Sequence, residues 1–147
     1  MEIVIRTVDA DHEDLKRLIE QLDSYLLTLY PQEEIFTVQL NKGHFIVAYD
    51  GEQAVGCGGI VPYTEQIAEL KRFYVDPSIR NRGVANHMLV HLEHLARAQG
   101  VQELRLETGE PQYEAVQFYI KHGFEEMERF GEYTQCESSR CYVKKFT

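Results

Sequence analysis

Arg80-Asn81-Arg82-Gly83-Val84-Ala85 is the segment whose residue types and spacing point most directly to chemistry. It sets two arginines beside a glycine, between a strand-like run and the start of a helical pattern. Helix N-termini present unpaired N–H groups and the positive end of a dipole, so such a junction suits a phosphate. Gly83 and the small Ala85 leave room for a pyrophosphate to approach the backbone, while Arg80 and Arg82 add charge. The segment is not a P-loop, because no Lys-Ser/Thr pair follows the glycine. Gly56-Cys57-Gly58-Gly59 is not a dinucleotide-binding fingerprint either, since no helix follows it.

Other reactive residues read as structural. His87, His91 and His94 fall at helical spacing but flank an apolar stripe, which makes them a solvated helix face and no metal site is expected. Cys57, Cys136 and Cys141 are odd in number and lack a C-x-x-C pair, so they fit reduced thiols. His122, just before Gly123, reads as a cap on terminal helix carbonyls. A net charge of -9 argues against nucleic acid as a partner and is compatible with a cationic small-molecule amine.

The elements that must position the Arg80–Ala85 loop follow from periodicity. Ile3 to Val8 is β-prone, and Leu15, Leu18, Ile19, Leu22, Leu26 and Leu29 mark an amphipathic helix over residues 12–30 that Pro31 ends. His44 to Tyr49 and Ala54 to Pro62 read as strands joined at an Asp50-Gly51 turn dipeptide. Glu65 to Val75 is a third strand, with Glu69, Lys71, Phe73 and Val75 expected on one face and Leu70, Arg72 and Tyr74 on the other. After the loop, Val84, Met88, Leu89, Leu92, Leu95 and Ala96 form the buried stripe of a helix reaching Gln99. A strand over 101–107, a helix opened by Pro111 and closed by Gly123, and a final pair over 124–129 and 140–146 complete the chain. With 147 residues and no linker, one domain spanning 1–147 is expected, with roughly two-thirds of its unfolded surface buried. No segment is apolar for long enough to cross a bilayer, and Met1 to Arg6 does not resemble a secretory signal, so a cytoplasmic protein is expected.

Two motifs on these elements resemble the GNAT superfamily of N-acetyltransferases. Arg80, Gly83 and Ala85 match its R/Q-x-x-G-x-G/A loop, after the strand Ala68 to Pro77. Gln112, Ala115, Tyr119, Gly123 and Phe124 match the later helix N-x-x-A-x-x-x-Y-x-x-x-G-F, with glutamine in place of the usual asparagine. The order of elements agrees over almost the whole chain.

The resemblance implies an α/β (α+β) fold, a mixed, mostly antiparallel sheet of about seven strands flanked by helices. It implies acetyl-CoA as acyl donor, its arm on the backbone of Phe73, Tyr74 and Val75 and its pyrophosphate on Arg80, Asn81, Arg82, Gly83, Val84 and Ala85, with Gln112 nearby. It implies Tyr119 as the acid that protonates the departing thiolate and Glu69 as a general base, against the alternative of a solvated carboxylate pairing with Lys71 or Lys16. Tyr25, Tyr30, Asp23, Glu33, Glu34 and Tyr133 fall where the family builds its acceptor site. A protein or peptide acetyltransferase and a non-catalytic acyl-CoA sensor are the rival readings, and a homodimer through the sheet or last hairpin is common in the family.

Overall fold

The computed structural model describes residues 2–30, 42–109 and 112–146. Seven strands form one sheet in the order β1-β2-β3-β4-β5-β7-β6. They are β1 (Ile3–Val8), β2 (His44–Asp50), β3 (Gln53–Pro62), β4 (Ile67–Val75), β5 (Glu103–Gly109), β6 (Glu125–Met127) and β7 (Ser139–Lys145). Among the described residues three α-helices accompany them, α1 (Glu13–Leu29), α2 (Val84–Ala98) and α3 (Tyr113–Lys121). Every pairing is antiparallel except β4 with β5. Pro31, Glu33, Glu34 and Pro111 lie outside the described residues.

Helices cover both faces of the sheet, which is why β2 reads as the unbroken apolar run Phe45-Ile46-Val47-Ala48 rather than an alternation. Phe45 and Val47 pack with Leu15, Leu18 and Leu22 of α1. Ile46 and Ala48 turn the other way, onto Met88, Leu89 and Leu92 of α2. The turn between β2 and β3 is centred one residue beyond the expected dipeptide: Asp50 pairs with Gln53, so Gly51 and Glu52 make the corner, with Gly51 at φ 63°.

β4 departs from the simple alternation expected of it. Leu70 and Val75 share one core cluster, with Phe73 packed against it, whereas Tyr74 joins the α1 cluster. The cause is a bulge: Cys57 pairs with Tyr74 but Gly59 with Lys71, so Gly58 faces two residues, and Arg72 takes φ 52°. One extra residue reverses the facing of everything after it. Glu69 and Lys71 therefore lie on the opposite face from Phe73 and Val75, not on the same one.

Candidate active site

β4 and β5 are the parallel pair, and they separate partway along. They are in register at Ile67–Glu103, Ala68–Leu104 and Glu69–Arg105, and no pair follows. β5 continues against β7 as far as Gly109–Ser139. A cavity of about 130 Å³ opens where the two strands part, lined from β4 by Glu69 to Phe73, from β5 by Leu106 to Gly109, and from α3 by Ala115 and Tyr119. The bulge at Arg72 lies at this opening. Arg72 Nε is 3.1 Å from Asp23 of α1 as a charge contact, and the Cys57 thiol donates to the Arg72 carbonyl at 3.4 Å. Burial holds that thiol protonated, its pKa pushed up to about 12.

Beyond β4, Asp76 accepts from Ser78 N–H at 2.9 Å to start a 3₁₀ turn at Pro77–Ile79. Asn81 at φ 64° and Gly83 at φ 83° flank Arg82, and α2 begins directly after Gly83 without a side-chain cap. The first intrahelical bond runs from His87 N–H to Gly83 O, so the N–H groups of Val84, Ala85 and Asn86 point out of the helix end. Left-handed residues at such a junction gather N–H groups into a concave anion site. Asn81, Arg82 and Gly83 are exposed there. Arg80 turns back instead: its Nε donates to Val75 O at 3.0 Å, and its guanidinium lies 5.9 Å from the Tyr74 ring centre.

The expected donor-strand residues divide by side chain. Phe73 lines the cavity and stacks on Phe118 at 5.9 Å, while Tyr74 and Val75 are buried and do not line it. Tyr119, 7% exposed, sits among Phe73, Phe118 and Phe124. Burial raises its phenol far above the ordinary range, so it keeps its proton at any working pH. Gln112, at the start of α3, lines the cavity too, and its Nε2 donates to the Tyr30 hydroxyl at 3.2 Å. That hydroxyl lies on Gly109, where any side chain would collide with it. Tyr30 is thus held at the cavity, whereas Tyr25 is exposed and does not line it; Glu33 lies outside the described residues.

Glu69 is no solvated strand carboxylate. It is 9% exposed and bonded to Tyr133, which arrives from a 3₁₀ turn at Gly131–Tyr133, and to Lys71. The neighbouring wall holds Glu107, whose Oε2 accepts from Ser139 at 2.7 Å. Burial raises the Glu107 pKa, opposed by the Ser139 bond and Lys71 and reinforced by Glu69 and Glu132. Lys71, Glu107 and Thr108 were not among the residues expected at the site. The i, i+2 spacing of Glu69 and Lys71 could have flagged the first; Thr108, with a buried hydroxyl that has no hydrogen-bond partner among the described residues, had no sequence signal. Away from the cavity, His122 packs on Phe118 at 4.4 Å, its pKa lowered by burial and by Lys121 and Lys144. His87 and His94 are exposed on α2.

A seven-stranded mixed sheet that parts at its parallel pair, beside a bare helix N-terminus, defines an acyltransferase of the acyl-CoA type. The model of the acetyltransferase (GNAT) family matches residues 10–124, and the chain belongs to that family. It is similar to an IAA acetyltransferase of Azospirillum brasilense, 38% identical over 80% of both chains. It is also similar to the solved structure of a putative acyl-CoA N-acyltransferase from Klebsiella pneumoniae, with a TM-score of 0.87, 28% identity and coverage of 99% of this chain and 98% of that one. The fold recurs in the PaiA N-acetyltransferase of Thermoplasma acidophilum, solved in complex with coenzyme A, at a TM-score of 0.74, 23% identity, and 99% and 100% coverage. No helix among the described residues is long and apolar enough to cross a membrane.

Proposed function

We propose that the chain, acting as one cytoplasmic domain, transfers the acetyl group of acetyl-CoA directly to the amine of a small cationic metabolite. The observation that carries this reading is the cavity where β4 leaves β5, with Glu69 and Tyr119 both in its lining. The donor's arm lies along the backbone of Phe73, Tyr74 and Val75, and its pyrophosphate meets the N–H groups from Asn81 to Ala85 with Arg82 beside them. Arg80 serves the same loop by tying it back to Val75. Gln112 and Tyr30 close the far wall.

In the reaction the amine nitrogen attacks the thioester carbonyl, the C–N bond forms and the C–S bond breaks. Glu69 takes the proton that the ammonium must lose before attack, Tyr119 gives one to the departing thiolate, and the second proton, shed by nitrogen as the amide forms, restores the phenol. Much of the rate gain comes from holding the two reactants in register. Glu69 and Glu107 line the cavity with Lys71 and Arg72, and Glu132 and Asp23 stand against those two cations, so the carboxylates around the cavity are in excess, which favours a cation. Release of free thiol with a panel of polyamines, amino acids and short peptides tests the proposal. A small cationic amine should give the highest kcat/KM; a peptide or an anionic acceptor in first place would overturn it, and no thiol release with any amine would leave a donor-binding protein without turnover.

A further inference from the structure

Glu69 is anchored through one of its two carboxylate oxygens. The Tyr133 hydroxyl donates to Oε2, and Lys71 Nζ lies 3.2 Å from that same oxygen. Lys71 also donates to the Tyr133 oxygen and stands 3.4 Å from Glu132 Oε1. No hydrogen bond or ion pair among the described residues reaches Glu69 Oε1. A carboxylate has lone pairs on both oxygens, and one taken out of water needs donors for them. Here the described residues satisfy one oxygen twice and give the other no donor, on a side chain that lines the cavity.

Rigidity supports the same conclusion. A glutamate on a strand has three rotatable torsions, and a proton acceptor must sit within hydrogen-bond reach of the proton it removes. Tyr133 is 2% exposed, its ring set edge-on to Phe130 at 5.4 Å, with the Lys71 ammonium 5.1 Å from its centre. Burial first, then the charge of Glu69, raises its phenol far above the ordinary range, so Tyr133 donates and does not ionise. Lys71 reaches the pair from the same face of β4, two residues along. The hairpin turn and the strand thus hold the carboxylate from two sides.

We infer that Tyr133 and Lys71 are positioning residues, which fix Glu69 through Oε2 and present Oε1 to the ammonium of the acceptor. The inference rests on Glu69 acting as the base. Neither residue exchanges a proton with substrate: the acceptor's proton passes to Oε1, and the bonds on Oε2 persist through the reaction.

The test compares two nucleophiles in steady-state kinetics of the full chain: the best primary alkylamine from the panel, and its aminooxy analogue, which is unprotonated near neutral pH and needs no base before attack. Tyr133→Phe should lower kcat with the alkylamine by about tenfold or more, leave the KM for acetyl-CoA unchanged, and cost little with the aminooxy compound. Lys71→Met should show the same split, and Lys71→Arg should recover part of the rate by restoring a donor to Oε2. Equal losses on both nucleophiles would make the pair structural and overturn the inference, as would wild-type kcat in Tyr133→Phe and Lys71→Met. Glu69→Gln separates the two levels: if it keeps full rate with the alkylamine, the base reading itself fails; if it is slow while Tyr133→Phe is not, only the positioning role fails. Circular dichroism confirms that each variant is folded, and either position alone suffices to decide.

Discussion

Tyr119 and Glu69 line one cavity but differ in surroundings, and that difference sets what each can do. Tyr119 stands among aromatic rings, where desolvation keeps its phenol neutral. A neutral phenol can give a proton to a thiolate but has no reason to ionise beforehand. Tyr119→Phe should therefore bind acetyl-CoA with unchanged affinity in calorimetry and turn over roughly 10-fold to 100-fold more slowly, near the bottom of the range for general acids because CoA leaves well unaided. Wild-type kcat in that variant would reduce the tyrosine to packing. Thr108 makes a separate residue-scale case. Its hydroxyl is buried and has no hydrogen-bond partner among the described residues, a state that costs about 1–3 kcal/mol, so Thr108→Val should be neutral or raise the melting temperature by a few degrees. A clear drop on thermal melting would show that the hydroxyl is satisfied in solution.

At the scale of elements, the site depends on two departures from regular backbone, the bulge at Arg72 and the left-handed start of α2. The helices and most strands were legible because their signals are local: the stripe from Val84 to Ala96 defines α2, and the run from His44 to Tyr49 reads as a strand because the Asp50-Gly51 dipeptide stops it. The facing of β4 was not legible. Its bulge is stabilised by partners distant in sequence, Asp23 on α1 and Gly58 on β3, and a non-glycine residue at positive φ announces itself nowhere in the local pattern. The Glu69–Tyr133 contact spans 64 positions and was equally hidden, though both residues had been placed in the site region. The loop itself was legible, since Gly83 before an apolar stripe marks a helix start. At φ 83° a valine there would strain the helix start, but asparagine tolerates that conformation, and its side chain would project into the open space proposed for the pyrophosphate. Gly83→Asn should keep a native circular dichroism spectrum and weaken acetyl-CoA binding at least several-fold; unchanged affinity would remove the loop from the donor site.

For the molecule as a whole, an excess of nine negative charges means that many carboxylates titrate together as pH falls. A single buried carboxyl can still be isolated by comparing two proteins that differ only there. Glu107 suits the comparison, because burial raises its pKa above the ordinary 4.5 despite the Ser139 bond and nearby Lys71. The folded chain then holds that proton more tightly than the unfolded chain. Stability is therefore lost as pH rises from the unfolded value through the folded one, and the penalty is complete above it. Glu107→Gln removes the ionisation while its amide oxygen can still accept from the Ser139 hydroxyl. The variant should melt at a higher temperature than wild type at neutral pH, and the gap should close as pH falls below about 4.5, where the glutamate is protonated in both states. The other carboxylates act alike on both proteins and cancel in the difference. A gap independent of pH would mean that Glu107 is as well solvated folded as unfolded, and a gap of opposite sign would mean that Lys71 and Ser139 outweigh burial. If the same variant also raises the KM for a cationic acceptor without changing the KM for acetyl-CoA, the stability lost to Glu107 at neutral pH is the cost of keeping a second carboxylate at the acceptor end of the cavity.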